Sequence, residues 1–328
     1  MNRRQGDWIM VAVQALDRSS NSLLRKAATL ARARKCGLEL LHVIALPYSP
    51  AVSRRGPLLQ AAREIVDDCK KRLLKLAASP TLRGIRTRAT VTWDYPAAEG
   101  LVRQALKRRP QLLLMESHRH SRLARPFLSN TDWDLIRNCP CPVWLSKPRR
   151  TKLDGPVVAA LDPMHAHAKP AALDSAILEQ ALRVAGQPKR VLMCHAYNFP
   201  TKPPVIDGAI EAYWILSEQE VERYEAMLRD ELRRLADRAR IPERNRIVAA
   251  GDPASVLPRL VRKHRASLVV MGAVSRSAVR RLFIGHTAER LVDRLDCDVL
   301  VVKPRGFETS VTPRPRAIFN LPPLQISP

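Results

Sequence analysis

The sequence predicts an α/β protein of two tandem domains, each an open, parallel, five-stranded sheet with helices on both faces. Three observations support this prediction: a length of 328 residues, an internal repeat, and an alternation of strand-like and helix-like apolar patterns. A chain of this length is too long for one ordinary domain and sufficient for two, each with its own core.

The internal repeat aligns the ends of the two halves without a gap. The segment LLLMESHRHSRLARPFLSNTDWDLIRNCPCPVWLSKP matches LVVMGAVSRSAVRRLFIGHTAERLVDRLDCDVLVVKP, and upstream DYPAAEGLVRQALKRRP and LELLHVI resemble GDPASVLPRLVRKHRAS and RVLMCHA. Three aligned pairs, each 156 residues apart, are Met115 with Met271, Thr131 with Thr287, and Lys147 with Lys303. Two copies of one domain therefore explain the length.

Strands and helices alternate within each copy. The second copy begins with the short strand PVVAALD (156–162) and continues with SAILEQALRVAG, whose apolar residues recur at helical spacing until Gly186. The elements that follow are the strand KRVLMCHA, the helix EVERYEAMLRDELRRLADRAR, the strand NRIVAAG, the helix ASVLPRLVRKH, the strand SLVVMG, the helix TAERLVDRL and the strand DVLVVKP. Continuously apolar strands indicate burial on both faces, which is typical of parallel sheets with right-handed crossovers.

The repeat sets the expected boundaries. We predict domains over residues 1–148 and 149–305, with a linker within SKPRRTKLDGP (146–156) and a proline-rich tail over 306–328. The tail cannot continue a sheet, so it is expected to be an extended or docking segment.

Composition restricts the class of protein. The N-terminus has no signal-peptide pattern, no apolar run is long enough to span a membrane, and six dispersed cysteines are typical of reduced thiols, so a cytoplasmic protein is expected. The net charge is +25 and the pI near 10.8. Because the basic residues alternate with apolar helix positions, this charge indicates either a generally basic solvated surface or a weak polyanion-binding patch.

The end of the second half resembles the universal stress protein (UspA-type) family, and the repeat resembles its tandem two-domain members. The family signature is a glycine, two residues, a glycine, nine residues, then a glycine followed by Ser or Thr. The matching positions are Gly272, Ser275 and Gly285, so the spacing is kept while serine replaces the middle glycine. The resemblance covers residues 8 to about 305. It implies an adenine nucleotide alpha hydrolase-like fold and an intramolecular pseudo-dimer of the two domains. It also implies association through the last strands PVWLSK and DVLVVK, and a homodimer of chains.

The resemblance also implies a site for ATP, with or without Mg²⁺, in the second half. By position, Asp162 would hold the ribose or adenine side, and Ala196 would lie beside the adenine. The remaining residues would form the loop and the phosphate cradle at a helix start: Met271, Gly272, Val274 and Ser275, then Gly285, His286, Thr287 and Ala288. The alternative is that Gly272 and Gly285 are only glycines that the turns of the fold require.

The first half departs from this pattern. Its glycine positions hold Glu116, Arg119 and Ser129, and Gln14 replaces the strand-end aspartate. Asp17 lies three residues too late to substitute. Because a carboxylate would stand where a phosphate belongs, we predict that the first half does not bind ATP in the family manner.

Other candidate residues favour structural roles. The pairs His118 with His120 and His165 with His167 lack an evident third metal ligand, so no metal site is predicted. Cys139 and Cys141 lie too close for an ordinary local disulfide, and Cys141 and Cys297 are expected to be small packed residues at the start of the last strand. His42 and His195 are expected to be packed, hydrogen-bonded residues. The apolar insertion 197–220 of the second half is expected to form a lid or a dimer contact.

The resemblance therefore implies a stress-responsive binding and signalling protein with ATP in its second half. One alternative is an adaptor that binds nucleic acid or anionic lipid through its basic surface. Another is a true ATPase, which needs a general base and a metal ligand that the sequence does not identify. No catalytic residue is predicted.

Overall fold

The computed structural model describes residues 7–17, 20–46, 57–117, 130–147, 153–164, 171–198, 218–273, 291–292 and 294–314. The chain divides into two compact units. The N-terminal unit is Met1–Arg150 together with Phe307–Pro328, and the C-terminal unit is Thr151–Gly306.

The N-terminal unit is a parallel sheet with helical crossovers. Its elements are β1 (Trp8–Ala12), α1 (Asn21–Arg34), β2 (Gly37–Ile44), α2 (Pro57–Ala77), β3 (Thr87–Trp93), α3 (Ala97–Arg108), β4 (Leu112–Glu116), α4 (Asn130–Asn138) and β5 (Val143–Ser146). Every strand pair is parallel, in the order β3-β2-β1-β4-β5. Because right-handed crossovers lead outward from the centre in both directions, α1 and α2 cover one face and α3 and α4 the other.

The C-terminal unit repeats this arrangement. Its elements are β6 (Val157–Ala160), α5 (Ala171–Ala185), β7 (Val191–Tyr197), α6 (Glu218–Arg238), β8 (Arg246–Ala250), α7 (Pro253–His264), β9 (Leu268–Gly272) and β10 (Asp298–Val302). The strands are parallel in the order β10-β9-β6-β7-β8. The predicted fold class is therefore confirmed.

Six of the ten strands in the described part of the chain are buried along nearly their whole length. In β1, β4, β5, β6, β9 and β10 consecutive residues are buried, so both faces of each strand are covered. This is why these segments contain uninterrupted Val, Leu, Ile and Met instead of an alternating pattern.

Part of the proline-rich tail packs on the N-terminal unit. Arg103 of α3 donates from Nε to the carbonyl oxygen of Thr312 at 3.0 Å, and Ser310 Oγ lies 2.9 Å from Asn138 Oδ1 of α4. Between them, the side chain of Val311 is buried. The described part of the tail is thus a docking segment on α3 and α4.

We expect a chain that ends at Gly306 to have a less stable N-terminal unit, by about 1–3 kcal/mol, because a hydrogen bond from a charged donor and the burial of Val311 are lost. Urea unfolding followed by tryptophan fluorescence measures this change. A chain that ends at Arg314 keeps all of these contacts and serves as the control. Equal midpoints for the two shortened chains would contradict a stabilising role for the docked segment.

Within the described residues, no helix is long and apolar enough to cross a membrane.

Candidate functional site

The carboxyl ends of β9, β6 and β7 lie side by side and bring together four of the predicted site residues. Asp162 follows β6, Ala196 precedes the last residue of β7, and Met271 and Gly272 end β9. The strand pairing places β6 between β7 and β9. In open α/β sheets ligands bind at this edge, so the position of these residues suits a ligand site.

Asp162 has a fixed backbone and a carboxylate oxygen available for a ligand. Its backbone N–H donates to Oδ1 of Asp174, in the first turn of α5, at 3.1 Å. Its own Oδ2 is buried and accepts no hydrogen bond within the described residues. A buried acceptor without a donor is unfavourable, and a ligand hydroxyl or amino group would supply the missing donor. The orphaned oxygen therefore fits a ribose or an adenine.

Asp174 is a positioning residue that the sequence reasoning missed. It is 1% exposed, and its carboxylate orients the backbone that carries Asp162. The sequence contained a signal for this role. Asp174 is an acidic residue in the first turn of the helix that follows β6, and acidic side chains interact favourably with helix N-termini.

Gly272 has a packing role that the glycine pattern did not reveal. A Cβ atom at this residue would lie 2.7 Å from Leu173 Cδ2 and 3.3 Å from Ile177 Cδ1, both in α5. The residue is the last of β9, not part of the following loop. Glycine is thus required for α5 to approach the strand end closely. This is a structural reason for the first signature glycine that does not depend on a ligand.

The two units differ at this contact in a compensating way. Helices α1 and α5 are each followed by a residue with a left-handed backbone conformation, Lys35 and Gly186. When these two residues are aligned, Leu173 of α5 corresponds to Ser22 of α1. Glu116, the last residue of β4, occupies the position of Gly272. The N-terminal unit therefore combines a larger strand residue with a smaller helix residue.

The recurring histidines have the packed role that their position predicted. Nδ1 of His195 lies 3.0 Å from the carbonyl oxygen of Leu161, and Nδ1 of His42 lies 2.8 Å from that of Val13. Because a carbonyl only accepts, Nδ1 carries the proton in both residues. Each ring thus ties its second strand to the end of the neighbouring first strand.

Tyr197 closes the edge at the end of β7. Its hydroxyl donates to Glu225 of α6, and its ring packs edge-on against Tyr224 with centroids 5.8 Å apart. Burial, followed by the hydrogen bond to Glu225, raises the pKa of Tyr197 to about 12. The same hydrogen bond lowers the pKa of Glu225. Tyr197 is therefore a neutral structural residue at physiological pH.

The matching edge of the N-terminal unit has a different chemistry. Gln14 follows β1 and is exposed, and Glu116 ends β4. An amide thus replaces the carboxylate of Asp162, and a carboxylate replaces the glycine.

Several predicted residues lie outside the described part of the chain. They are Val274, Ser275, Gly285, His286, Thr287 and Ala288, the histidines 118, 120, 165 and 167, and residues 199–217 of the insertion. Their roles stay predictions.

The cysteine pair is packed, which confirms the prediction for Cys141. Cys139 and Cys141 are buried and not joined by a disulfide, and their sulfur atoms are 3.5 Å apart. The hydrogen bond between them, followed by burial, raises the pKa of the Cys141 thiol well above its usual value. Such thiols are poor nucleophiles. In the described part of the chain, no group of three or more His, Cys, Asp or Glu side chains is arranged to hold a metal ion.

Comparison with known proteins decides the family. Residues 7–147 and 157–303 each match the model of the universal stress protein family. The chain belongs to this family. Because the family match occurs twice, this universal stress protein is a tandem member, in agreement with its internal repeat.

Individual relatives agree with the tandem architecture. Universal stress protein E of Escherichia coli K12 is 29% identical over 232 residues, 70% of this chain and 72% of that protein. The fold is similar to a universal stress protein of Archaeoglobus fulgidus DSM 4304, with a TM-score of 0.66, 15% identity, and coverage of 91% of this chain and 99% of the other.

Some members of the family bind nucleotides. A universal stress protein from Archaeoglobus fulgidus has been solved in complex with dAMP; its TM-score is 0.27, its identity 19%, and it covers 41% of this chain and 93% of its own.

Proposed function

We propose that this universal stress protein is a stress-responsive binding and signalling protein that holds ATP, or a related nucleotide, in its C-terminal unit only. The observation that carries the proposal is the orphaned, buried Oδ2 of Asp162 at the carboxyl edge of the sheet. It occurs where open α/β sheets bind ligands, and it needs a hydrogen-bond donor.

The residues around this atom suit one orientation of the nucleotide. Asp162 would accept from the ribose or adenine, and the small side chain of Ala196 leaves space for the base. Met271 and Gly272, with Val274 and Ser275, would border the nucleotide. The phosphates, with or without Mg²⁺, would lie against Gly285, His286, Thr287 and Ala288 at a helix N-terminus.

The N-terminal unit is proposed to lack this activity. Gln14 and Glu116 occupy the two positions that matter most, and the carboxylate of Glu116 would repel a phosphate. The proposed restriction of nucleotide binding to the C-terminal unit therefore rests on the charge and the size of these two side chains.

At most slow hydrolysis of the nucleotide is proposed. His195, whose ring contacts the residue before Asp162, uses Nδ1 to hold the carbonyl of Leu161. A general base must reach the attacking water, and this ring is oriented by the strand instead. Bound nucleotide would act as a switch of conformation or partner binding.

Replacing Asp162 with alanine is expected to weaken ATP binding about 10- to 100-fold, because a charge-assisted hydrogen bond is lost. The fold should tolerate the change, since the buried oxygen has no partner among the described residues. Calorimetric titration with Mg·ATP measures the effect. Gln14→Ala is the matched control in the N-terminal unit and should leave the affinity unchanged. An equal loss of ATP affinity in both variants, or no loss in either, would contradict the proposal.

We further propose that the chain is a cytoplasmic homodimer and that the last strands of the two units, β5 and β10, form the association surfaces. Their largely apolar side chains support this proposal, because an apolar strand at the edge of a sheet favours pairing with another strand.

The net charge of +25 favours a second candidate function, an adaptor that binds a polyanion. Binding of this kind weakens steeply with salt, whereas nucleotide binding in a pocket depends on salt much less.

A further inference from the structure

Most of the positive charge belongs to the first half of the chain. Residues 1–150 contain 29 Lys and Arg against 11 Asp and Glu, a net charge of +18, whereas residues 151–306 contain 25 against 19, a net charge of +6. The two units share one fold, so the fold does not require this difference.

A large share of this charge lies at one edge of the N-terminal unit, which we call the basic edge. It is formed by the end of α1, the loop into β3 and the end of α3, all at the amino ends of the strands and opposite the family's ligand edge. Its nine cations are Arg32, Arg34, Lys35, Arg83, Arg86, Arg88, Lys107, Arg108 and Arg109. Parallel pairing brings these three segments next to one another.

Hydrogen bonds link the three segments of the basic edge. Arg32 donates to the carbonyl oxygens of Thr81 and Arg83, at 3.0 and 3.3 Å. Arg34 donates to Oε1 of Gln111 at 3.3 Å. These contacts hold α1 against the loops before β3 and β4, so the cations around them are preorganised rather than loosely distributed.

Trp8 supports two more of the cations. The guanidinium carbon of Arg88 lies 4.2 Å from the ring centroid of Trp8, and that of Arg86 lies 5.2 Å away. Arg86 remains exposed beside the ring. Stacking on an aromatic face leaves the N–H groups of a guanidinium at its rim available to bind an anion.

Acidic side chains neutralise little of this charge. The basic edge includes two acids, Asp7 and Glu39, and Glu39 is 1% exposed and held by Arg88 and Arg108. The same edge of the C-terminal unit has three exposed acids, Asp154, Asp237 and Glu243. The basic edge therefore has fewer exposed acids than the same edge of the C-terminal unit.

A structural role explains only part of the basic edge. Arg32, Arg34, Lys107 and Arg108 lie in last helical turns, where cations interact favourably with the helix dipole. Arg83 and Arg86 lie in a loop and are exposed. Helix capping gives no reason for these two residues.

We propose that the basic edge binds the sugar-phosphate backbone of a nucleic acid. The inference deepens the second candidate function and rests on it. Seven of the nine cations are arginines, which bind phosphate oxygens through two parallel hydrogen bonds. Cations on three adjacent segments suit successive phosphates, not a single one. A membrane surface fits less well, because interfacial binding also needs apolar anchors, and none of the exposed large hydrophobic residues lies on these segments.

The test compares two charge reversals of equal size. The first variant is Arg83→Glu, Arg86→Glu and Lys107→Glu in the basic edge. The control is Arg244→Glu, Arg262→Glu and Lys263→Glu at the same edge of the C-terminal unit, where all three residues are also exposed. Each variant exchanges two arginines and one lysine, so net charge falls equally. Circular dichroism confirms that both are folded.

The probe is a fluorescein-labelled DNA of about 20 nucleotides, single-stranded and duplex, longer than a typical single-strand site. Anisotropy is measured between about 50 and 200 mM salt. We expect the first variant to bind at least about tenfold more weakly than wild type and to lose about two units of salt slope. The control should stay within about threefold, because its three residues are not part of the basic edge and contribute only to the net charge.

Three results would overturn the inference in different ways. Equal losses in both variants would mean that net charge alone binds DNA, so the adaptor function would survive without the basic edge. No binding by wild type even at low salt would remove the adaptor function itself. Tighter binding to phosphatidylglycerol vesicles than to DNA, lost in the first variant, would assign the basic edge to membranes instead.

Discussion

Replacing Arg103 with methionine is expected to lower the free energy of unfolding of the N-terminal unit by about 3–5 kcal/mol. The Arg103 side chain is 4% exposed and donates to Asp94 Oδ1 at 2.6 Å and to Glu99. Its third contact is the carbonyl of Thr312 in the docked tail. Methionine keeps much of the volume but leaves the Asp94 carboxylate, itself 5% exposed, without its counter-ion.

Tryptophan fluorescence during urea unfolding is a suitable measurement, because the first half contains Trp8, Trp93, Trp133 and Trp144, and the second only Trp214. Arg72→Met is the matched control. Arg72 and Asp68 form an exposed ion pair at 3.7 Å on α2, and such pairs contribute less than about 1 kcal/mol. If Arg103→Met lowers the free energy of unfolding no more than Arg72→Met does, the ion pairs of Arg103 with Asp94 and Glu99 do not stabilise the unit.

Replacing Gly272 with valine is expected to destabilise the C-terminal unit by about 1–3 kcal/mol or more. The new Cβ would lie 2.7 Å from Leu173 Cδ2, so α5 must move away from β9. Leu173 is fully buried, and its surroundings leave little room for that movement. Hydrogen exchange of α5 and β9 should accelerate, while exchange in the N-terminal unit should not change.

A double-mutant cycle separates this clash from other effects. Gly272→Ala should lower the free energy of unfolding by at least about 1 kcal/mol less in the Leu173→Ala background than in the wild type. The smaller helix residue leaves space for the added Cβ. Additive costs would show that the strain lies elsewhere. Because Gly272→Val also disturbs the packing of α5, a loss of nucleotide binding in this variant would not identify the nucleotide site. Asp162 is therefore the better residue to change.

The fold could be predicted because its signals are local and repeated. Uninterrupted apolar strands and amphipathic helices recur in both halves, and burial of both sheet faces explains both patterns. Asp162 and Ala196 were singled out by the family resemblance, and the parallel sheet brings them together because its strand ends converge on one edge.

The roles of Arg103, Gly272 and the basic edge depend on contacts between distant residues, which a sequence pattern does not show. Arg103 lies in LVRQALKRRP, where it looks like one more solvated basic residue, yet it is buried among two acids and the tail. Gly272 looked like a ligand-binding glycine, but its constraint comes from Leu173, 99 residues earlier in the chain. The net charge was evident, whereas its concentration at the basic edge follows only from strand pairing.

The number of adenine nucleotides bound per chain distinguishes one nucleotide site, in the C-terminal unit, from two sites or none. It is obtained by acid extraction and chromatography of the purified protein after saturation with Mg·ATP and removal of excess ligand. We expect one nucleotide per chain in the wild type and in Gln14→Ala, and a much smaller amount in Asp162→Ala. Two nucleotides per chain, or none, would contradict it.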